Sequence, residues 1–270
     1  MGEPRGKKSV MATAAQGPAA EEVATTATEV ATTATTARGL LLVRRYAYEA
    51  LHVVFGQKPS AQILAALLSA ESLTTLEAIV PLAPPAYGKA VKAFALWGSH
   101  YLGSDPDEAS EALRQLDIEY TRLFIGPAAL AAPPWEMVYR TGRRELFQPG
   151  VATIRARYEQ EGCLPAEHPR VSDDHLALEL DFMRFLCEKE EMAIEEGDLA
   201  EAQRLETVQG SFVQESLMGW IPAYVADLKA AATGPYYRAA ADMLLAFVAF
   251  DASLLQDASL SQGASLSQEG

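Results

Sequence analysis

An acidic pair followed by a histidine, Asp173-Asp174-His175, is the group in this sequence best suited to chemistry. An imidazole beside a carboxylate can act as an acid–base pair or bind a polar ligand in a groove. A simpler explanation also fits, because Ser172 can cap a helix and acidic residues in a first turn are stabilised by the helix dipole. In that explanation His175 is a partly buried residue with a satisfied hydrogen bond, so the pattern alone leaves both interpretations open.

Metal-ligand patterns are weak. Glu49 and His52 have the Glu-x-x-His spacing of carboxylate-bridged di-iron bundles, but no second such pair occurs. His175 and Glu179 could share a metal, but two ligands do not complete a site, and an exposed helical pair is the better explanation of the spacing. Phosphate-loop, dinucleotide-binding and Gly-x-Ser-x-Gly patterns are also missing from the sequence. We therefore expect no metal and no cofactor, and a nucleotide-binding role has no motif.

Composition narrows the class of protein. The chain has 270 residues, 49% of them hydrophobic, which is enough for a large buried core. Its 22 basic and 36 acidic residues give a net charge of −14, which disfavours nucleic acids and anionic membranes as partners. Cys163 and Cys187 form no Cys-x-x-Cys pair, so zinc ribbons and disulfide scaffolds are disfavoured. With no apolar stretch approaching a membrane span and no signal-peptide core, we predict a cytoplasmic protein.

Composition also divides the chain into three segments. Residues 1–38 are rich in Ala and Thr and are predicted to form a disordered arm, with Met11 as an alternative start. Residues 251–270 repeat a Ser-Leu hexad with too few apolar residues for a core, which predicts a disordered low-complexity tail. Residues 39–250 are predicted to be the folded domain.

Within the folded segment, apolar residues recur at helical spacing and no convincing alternating strand occurs. We therefore predict an all-α, single-domain bundle of about nine or ten helices. A long non-helical stretch over 125–148 interrupts the pattern, and its aromatic content argues for function rather than disorder. The predicted helices cover 40–55, 60–70, 86–100, a segment capped by Ser104 or Asp105 that reaches Phe124, 151–160, 173–196, 199–214, 221–231 and 236–250.

Aromatic and basic residues near that stretch are further candidates. Tyr120, Phe124, Trp135 and Tyr139 could line a binding groove; core packing is the better explanation for Phe124, and Trp135 fits either interpretation. The arginine pairs at 44–45 and 143–144 are predicted to lie on helix or loop surfaces.

Three motifs occur in a distinctive order: Glu119-Tyr-Thr-Arg-Leu-Phe-Ile-Gly-Pro, then Ala132-Pro-Pro-Trp-Glu-Met-Val-Tyr, then Ser172-Asp-Asp-His. Together they resemble the TorD/DmsD family of cytoplasmic chaperones that mature molybdoenzymes of the dimethyl sulfoxide reductase type. Trp220-Ile-Pro and Gly234-Pro-Tyr-Tyr-Arg are similar to two later regions of that family, so the resemblance extends over about 40–250. The Glu-Pro that opens the family's third motif is absent here.

The resemblance implies an all-helical fold, no catalysis and a system-specific molecular chaperone. Such a chaperone binds the twin-arginine signal peptide and the apo-form of its reductase, assists molybdopterin cofactor insertion and delays export until folding. Asp173 and Asp174 could then pair with the peptide's arginines at the rim of a groove. The client reductase is not identified, and a monomer or a domain-swapped dimer is compatible with the sequence. The signal-peptide-binding residues that the resemblance implies are Tyr120, Phe124, Trp135, Asp174 and His175.

A second hypothesis comes from a different class of protein. Asp174 and His175 at a helix N-terminus beside a long loop could form the acid–base pair of a small-molecule hydrolase that activates water. The sequence offers no nucleophile, metal set or phosphate loop to accompany them.

Overall fold

The computed structural model describes residues 9–11, 37–126, 129–165 and 170–266, with side chains described from 37 to 257. Most of the predicted arm, 1–8 and 12–36, lies outside the described residues, as do the last four residues of the predicted tail.

The architecture is an all-α bundle, which confirms the fold class predicted from helical spacing. The described residues form eleven α-helices in ten continuous helical segments, because two of these helices are joined by a π-helical segment. The helices are α1 (Ala37–Gly56), α2 (Ala61–Leu67), α3 (Ala70–Glu77), α4 (Pro85–Gly103), α5 (Pro106–Tyr120, continued by the π segment Thr121–Ile125), α6 (Glu136–Thr141), α7 (Val151–Gln160), α8 (Leu176–Glu196), α9 (Leu199–Phe212), the π segment Val213–Leu217 that joins it to α10 (Met218–Ala231), and α11 (Pro235–Leu266).

Several boundaries differ from those predicted from the sequence. The helix predicted over 60–70 is two helices, and the gap predicted between 214 and 221 is bridged by a π segment. The stretch 125–148 contains the short helix α6. One short parallel pair, β1 (Ser9–Met11) beside β2 (Cys163–Pro165), was not predicted. Three residues are too few to show an alternating pattern, so such a strand leaves no signal in the sequence.

Helix α8 lies at the centre of the bundle. It is buried around most of its circumference and packs against α1 and α9, while α11 packs against α4 and α10. The end of α1 crosses the start of α8 so closely that a Cβ at Gly56 would lie 2.7 Å from the Cβ of Ala177. His52, one turn earlier on α1, has its Nδ1 2.8 Å from the Ala177 carbonyl oxygen. This crossing fixes the end of α8 at which the candidate site lies.

The folded domain does not end at 250, because α11 continues to Leu266. Asp251 is fully buried, and the side chains of Arg44, Tyr48 and Gln209 lie around it. The Tyr48 hydroxyl donates to Asp251 Oδ2 at 2.6 Å, and the Arg44 guanidinium donates to both carboxylate oxygens. The tail boundary at 250 and the surface position predicted for Arg44 are both wrong, because each charge is buried against the other.

One helical segment, Pro235–Asp257 of α11, is long and apolar enough to cross a membrane by length and composition. The expectation that no stretch approaches a membrane span was therefore too strong. Its most apolar window is 67% buried inside the protein, and the core helix of a bundle passes the same test.

Candidate functional site

Two segments far apart in the sequence meet at the candidate site. Trp135 and His175 form an antiparallel bridge, in which the backbone N–H of Glu136 donates to the carbonyl oxygen of Asp174 at 3.0 Å. The indole and imidazole rings lie edge to face, with their centroids 5.6 Å apart. The bridge therefore makes neighbours of the second and third sequence motifs.

The Asp174 carboxylate fastens the two segments together. It accepts a hydrogen bond from the backbone N–H of Met137 at 3.1 Å and another from the hydroxyl of Ser172. Trp135, the N-cap residue of α6, makes no side-chain cap, so Asp174 satisfies one of the N–H groups left free at the start of that helix. Burial raises the pKa of Asp174 above its usual range. Ser172 does not cap α8, and Asp174 stabilises a different helix from the one predicted.

His175 is the N-cap residue of α8, which begins at Leu176 rather than at 173. Its Nδ1 accepts a hydrogen bond from the backbone N–H of Ala177 at 3.1 Å. That role requires an unprotonated Nδ1 and therefore a neutral ring that carries its hydrogen on Nε2. Burial, with a smaller contribution from His52, lowers the pKa of His175 to about 4. At neutral pH the site thus presents an uncharged, partly exposed imidazole.

Asp173 faces away from solvent. Its carboxylate accepts a hydrogen bond from Arg155 Nε at 2.6 Å, and its carbonyl oxygen accepts one from the Tyr158 hydroxyl at 2.9 Å. Asp173 and Asp174 are 0% and 2% exposed. The expectation that both aspartates lie at a rim, open to the arginines of a peptide, is therefore wrong, because both carboxylates already have internal partners.

This geometry does not favour an acid–base pair. Asp174 directs its carboxylate at α6 and Ser172, and the Nδ1 of His175 is occupied by the backbone of α8. A pKa of about 4 also makes His175 a weak base at neutral pH. Within the described part of the chain, no group of three or more His, Cys, Asp or Glu side chains could hold a metal ion.

Two buried glutamates, Glu136 and Glu179, lie behind the bridge. Their pairing was not predicted from the sequence. Glu136 Oε1 accepts a hydrogen bond from Arg140, and Glu179 Oε2 accepts one from Trp220 Nε1 at 3.0 Å. Arg140 also donates to the carbonyl oxygen of Ser216 at 3.2 Å. Glu179 is 0% exposed, so its expected exposed pairing with His175 is wrong. Neither glutamate stands out in the sequence, because α8 carries many other charged residues and Glu136 shares the short helix α6 with Arg140.

Tyr120 and Phe124 form a separate group. Each is 6% exposed, and their ring centroids are 5.2 Å apart. Phe124 also packs against Phe55 of α1 and Tyr237 of α11. This is the environment that the core-packing interpretation of Phe124 describes.

The first motif is anchored to the start of α11 by Glu119. Its Oε1 accepts hydrogen bonds from the backbone N–H groups of Thr233 and Gly234, at 2.6 and 2.9 Å. A Cβ at Gly234 would lie 2.7 Å from Glu119 Oε2, so only glycine fits there without a shift. The motifs beginning at Glu119 and Gly234 are thus parts of one structural unit.

A series of aromatic rings connects this unit to the bridge. The ring of Phe124 lies 6.2 Å from that of Phe55, which lies 6.4 Å from Tyr224. Tyr224 lies 6.0 Å from Tyr139 of α6, the helix that follows Trp135. The five predicted site residues therefore fall into two groups that are joined through α1 and α10.

Comparison with known proteins gives consistent matches. The family model described as nitrate reductase delta subunit matches residues 83–226, a range that contains all five predicted site residues. The chaperone protein TorD of Photobacterium profundum is 28% identical over 145 residues, which cover 54% of this chain and 66% of the relative. The TorD chaperones of Vibrio parahaemolyticus and Vibrio vulnificus (strain YJ016) are 25% and 24% identical, over 55% of this chain and 67% of each relative. The match thus spans about two thirds of the length of these relatives.

Proposed function

The chain belongs to the TorD/DmsD family, and on that premise we propose that it is a system-specific chaperone of a dimethyl sulfoxide reductase-type molybdoenzyme. It binds the twin-arginine signal peptide and the apo-form of the enzyme subunit in the cytoplasm. It assists insertion of the molybdopterin cofactor and delays export until the enzyme has folded. The protein itself catalyses no reaction.

The observation that carries this proposal is the bridge between Trp135 and His175. It brings two family motifs into backbone contact, although 40 positions separate them along the chain. Both side chains retain exposed surface, whereas Asp174 is buried beneath them. The indole and the neutral imidazole offer a largely apolar surface, which suits the apolar part of a signal peptide.

The five site residues have different roles in this proposal. Trp135 and His175 contact the peptide directly. Asp174 holds the start of α6 in place and so positions Trp135. Tyr120 and Phe124 are buried, and they support the neighbouring wall through Phe55.

The basic end of the peptide needs acidic partners other than Asp173 and Asp174. Asp227 on α10 is exposed and lies beside Tyr139, whose pKa is raised by burial and then by the Asp227 charge. A carboxylate in this position can pair with a guanidinium at the edge of the site. The net charge of −14 would also speed the approach of a basic peptide.

The test is a calorimetric titration of the full chain with synthetic twin-arginine leaders of the host's molybdoenzymes. Each leader is paired with a version in which both arginines are replaced by lysine. We expect saturable binding to one leader and at least tenfold weaker binding to its lysine version, because lysine lacks the bidentate fork of arginine. Failure of every leader to bind a folded chain would contradict the proposed function.

Two matched variants then locate the site. His175→Asn keeps a helix-capping side chain but removes the imidazole, and we expect weaker leader binding with unchanged helix content. His100→Asn changes an exposed histidine in the last turn of α4 and serves as the control. Equal affinity of the His175→Asn variant and the control would place the site elsewhere.

A further inference from the structure

The two buried glutamates behind the bridge have complementary unsatisfied atoms. Glu136 uses Oε1 for Arg140, and Glu179 uses Oε2 for Trp220. The other oxygen of each side chain, Glu136 Oε2 and Glu179 Oε1, is buried and has no hydrogen-bond donor among the described residues. Two ionised carboxylates cannot satisfy each other, since both only accept.

A single proton between these two oxygens removes both deficits. The protonated carboxyl then donates to its neighbour, as in other carboxyl pairs that are too close for both to ionise. We infer that Glu136 and Glu179 are positioning residues for the candidate peptide site, and that they hold α6 against α8 by sharing one proton at neutral pH. This inference rests on the proposed function only in taking Trp135, which directly precedes Glu136, as part of that site.

The surrounding charges favour retention of the proton. Arg140 on α6 supplies the only positive charge in direct contact with the pair within the described residues. Two negative groups lie near the glutamate pair. The charge of Asp174 acts on Glu179, and Asp173 is next to Asp174 on the same segment. From α7, the Tyr158 phenol is held neutral by burial and by these same acids, and α10 contributes the uncharged indole of Trp220. With one arginine facing several carboxylates, double ionisation of the pair is unfavourable.

The electrostatics of Glu179 agree with this arrangement. Burial raises its pKa well above the usual range, and the Glu136 charge and a hydrogen bond between the two side chains raise it further. Loss of the proton at high pH would leave two adjacent carboxylates at the α6–α8 contact. Repulsion would then loosen the start of α6 and shift Trp135 away from His175.

The experiment uses the three indole N–H signals of the full chain, one for each tryptophan, in a pH titration followed by nuclear magnetic resonance. Trp220 donates to Glu179 and reports its ionisation, while Trp135 reports the position of the bridge. We expect both signals to shift with one shared midpoint above pH 7. Trp97, which stacks on Tyr101, is the internal control and should not follow.

Substitution separates the proton from the packing. Glu179→Gln keeps the shape and can donate to Glu136 without titrating, so both indole shifts should disappear. Between pH 7 and pH 9.5 the melting temperature of the wild type should also fall. This decrease should exceed that of the variant by at least about 3 °C. A wild-type titration without a Trp220 midpoint above pH 7, or with a fixed Trp135 signal, would overturn the inference. Because no peptide is present, that failure is distinct from failure of leader binding.

Discussion

Two buried polar clusters in this molecule differ in how completely their groups are satisfied. The Arg44 cluster joins α1, α9 and α11 through Arg44, Tyr48, Gln209 and Asp251. Within the part of the chain that the structure describes, every fully buried polar side-chain atom of these four residues has a hydrogen-bond partner. The cluster is extended by Gln209, which donates to Glu190 at 2.5 Å.

The Glu136 cluster, formed by Glu136, Arg140, Glu179 and Trp220, retains two carboxylate oxygens without donors within the described residues. A fully satisfied buried network makes a core unique and rigid, whereas a partly satisfied one is costly and can respond to a proton. The Arg44 cluster therefore holds the bundle together, and the Glu136 cluster lies directly behind the candidate site. Four predictions, from the largest effect to the smallest, test the Arg44 cluster and the candidate site that lies in front of the Glu136 cluster.

Asp251→Ala should cause the greatest loss of stability, because it leaves the buried Arg44 charge without its carboxylate. We expect the free energy of unfolding to fall by about 3–5 kcal/mol, measured by urea denaturation. The double variant Arg44→Met, Asp251→Leu removes both charges and should lose clearly less. A double variant as unstable as the single one would show that packing, rather than the unpaired charge, sets the cost.

Protonation of His175 should give the next largest effect. Its pKa falls from the usual 6.5 to about 4 on folding, so the folded state holds the neutral ring more strongly than the unfolded state. Stability is therefore fully present above pH 6.5 and is lost as pH falls toward 4, by up to about 3 kcal/mol. The difference between the wild type and His175→Asn in urea denaturation at pH 7 and pH 4 isolates this contribution. Parallel losses in both proteins would contradict the assigned cap.

Asp174→Ala removes a helix cap supplied from a distant segment. Loss of such a cap costs about 1–2 kcal/mol, and we expect a decrease in the free energy of unfolding of that size. Leader binding should weaken as well, since Trp135 is no longer held in place. Asp105→Ala, which removes the N-cap of α5, is the matched control and should lose similar stability without weakening leader binding.

The smallest effect is expected for the thiols. Burial raises the pKa of Cys187 to about 12, and its thiol donates to Gln209 Oε1 at 3.3 Å within the Arg44 cluster. Cys163 is also buried. Because the thiolate is the reactive form, a disulfide reagent should modify neither cysteine in the native protein at pH 8 and both after denaturation. Rapid modification of Cys187 in the native state would show that the Arg44 cluster opens more readily than its hydrogen bonding indicates.

Local patterns in the sequence were sufficient to predict the fold class and to identify the motifs and their order along the chain. Helical spacing of apolar residues is a local property, so most of the long helices could be predicted within a few residues. The ends of helices were less predictable where a distant group contributes. Asp174 was expected to stabilise the first turn of α8, but it caps α6 because the backbone bridge at Trp135 brings that helix to it.

The sequence by itself determined that this chain is an all-α bundle whose motifs match those of the TorD/DmsD family. Only the tertiary structure decided which charged residues are buried and with what partners. Arg44 and Asp251 are 207 positions apart, and Glu136 and Glu179 lie on different helices, so no local pattern records either pairing. The physical reason is that helix periodicity depends on neighbours within a turn or two, whereas the cost of burying a charge is offset only by a partner that folding brings to it.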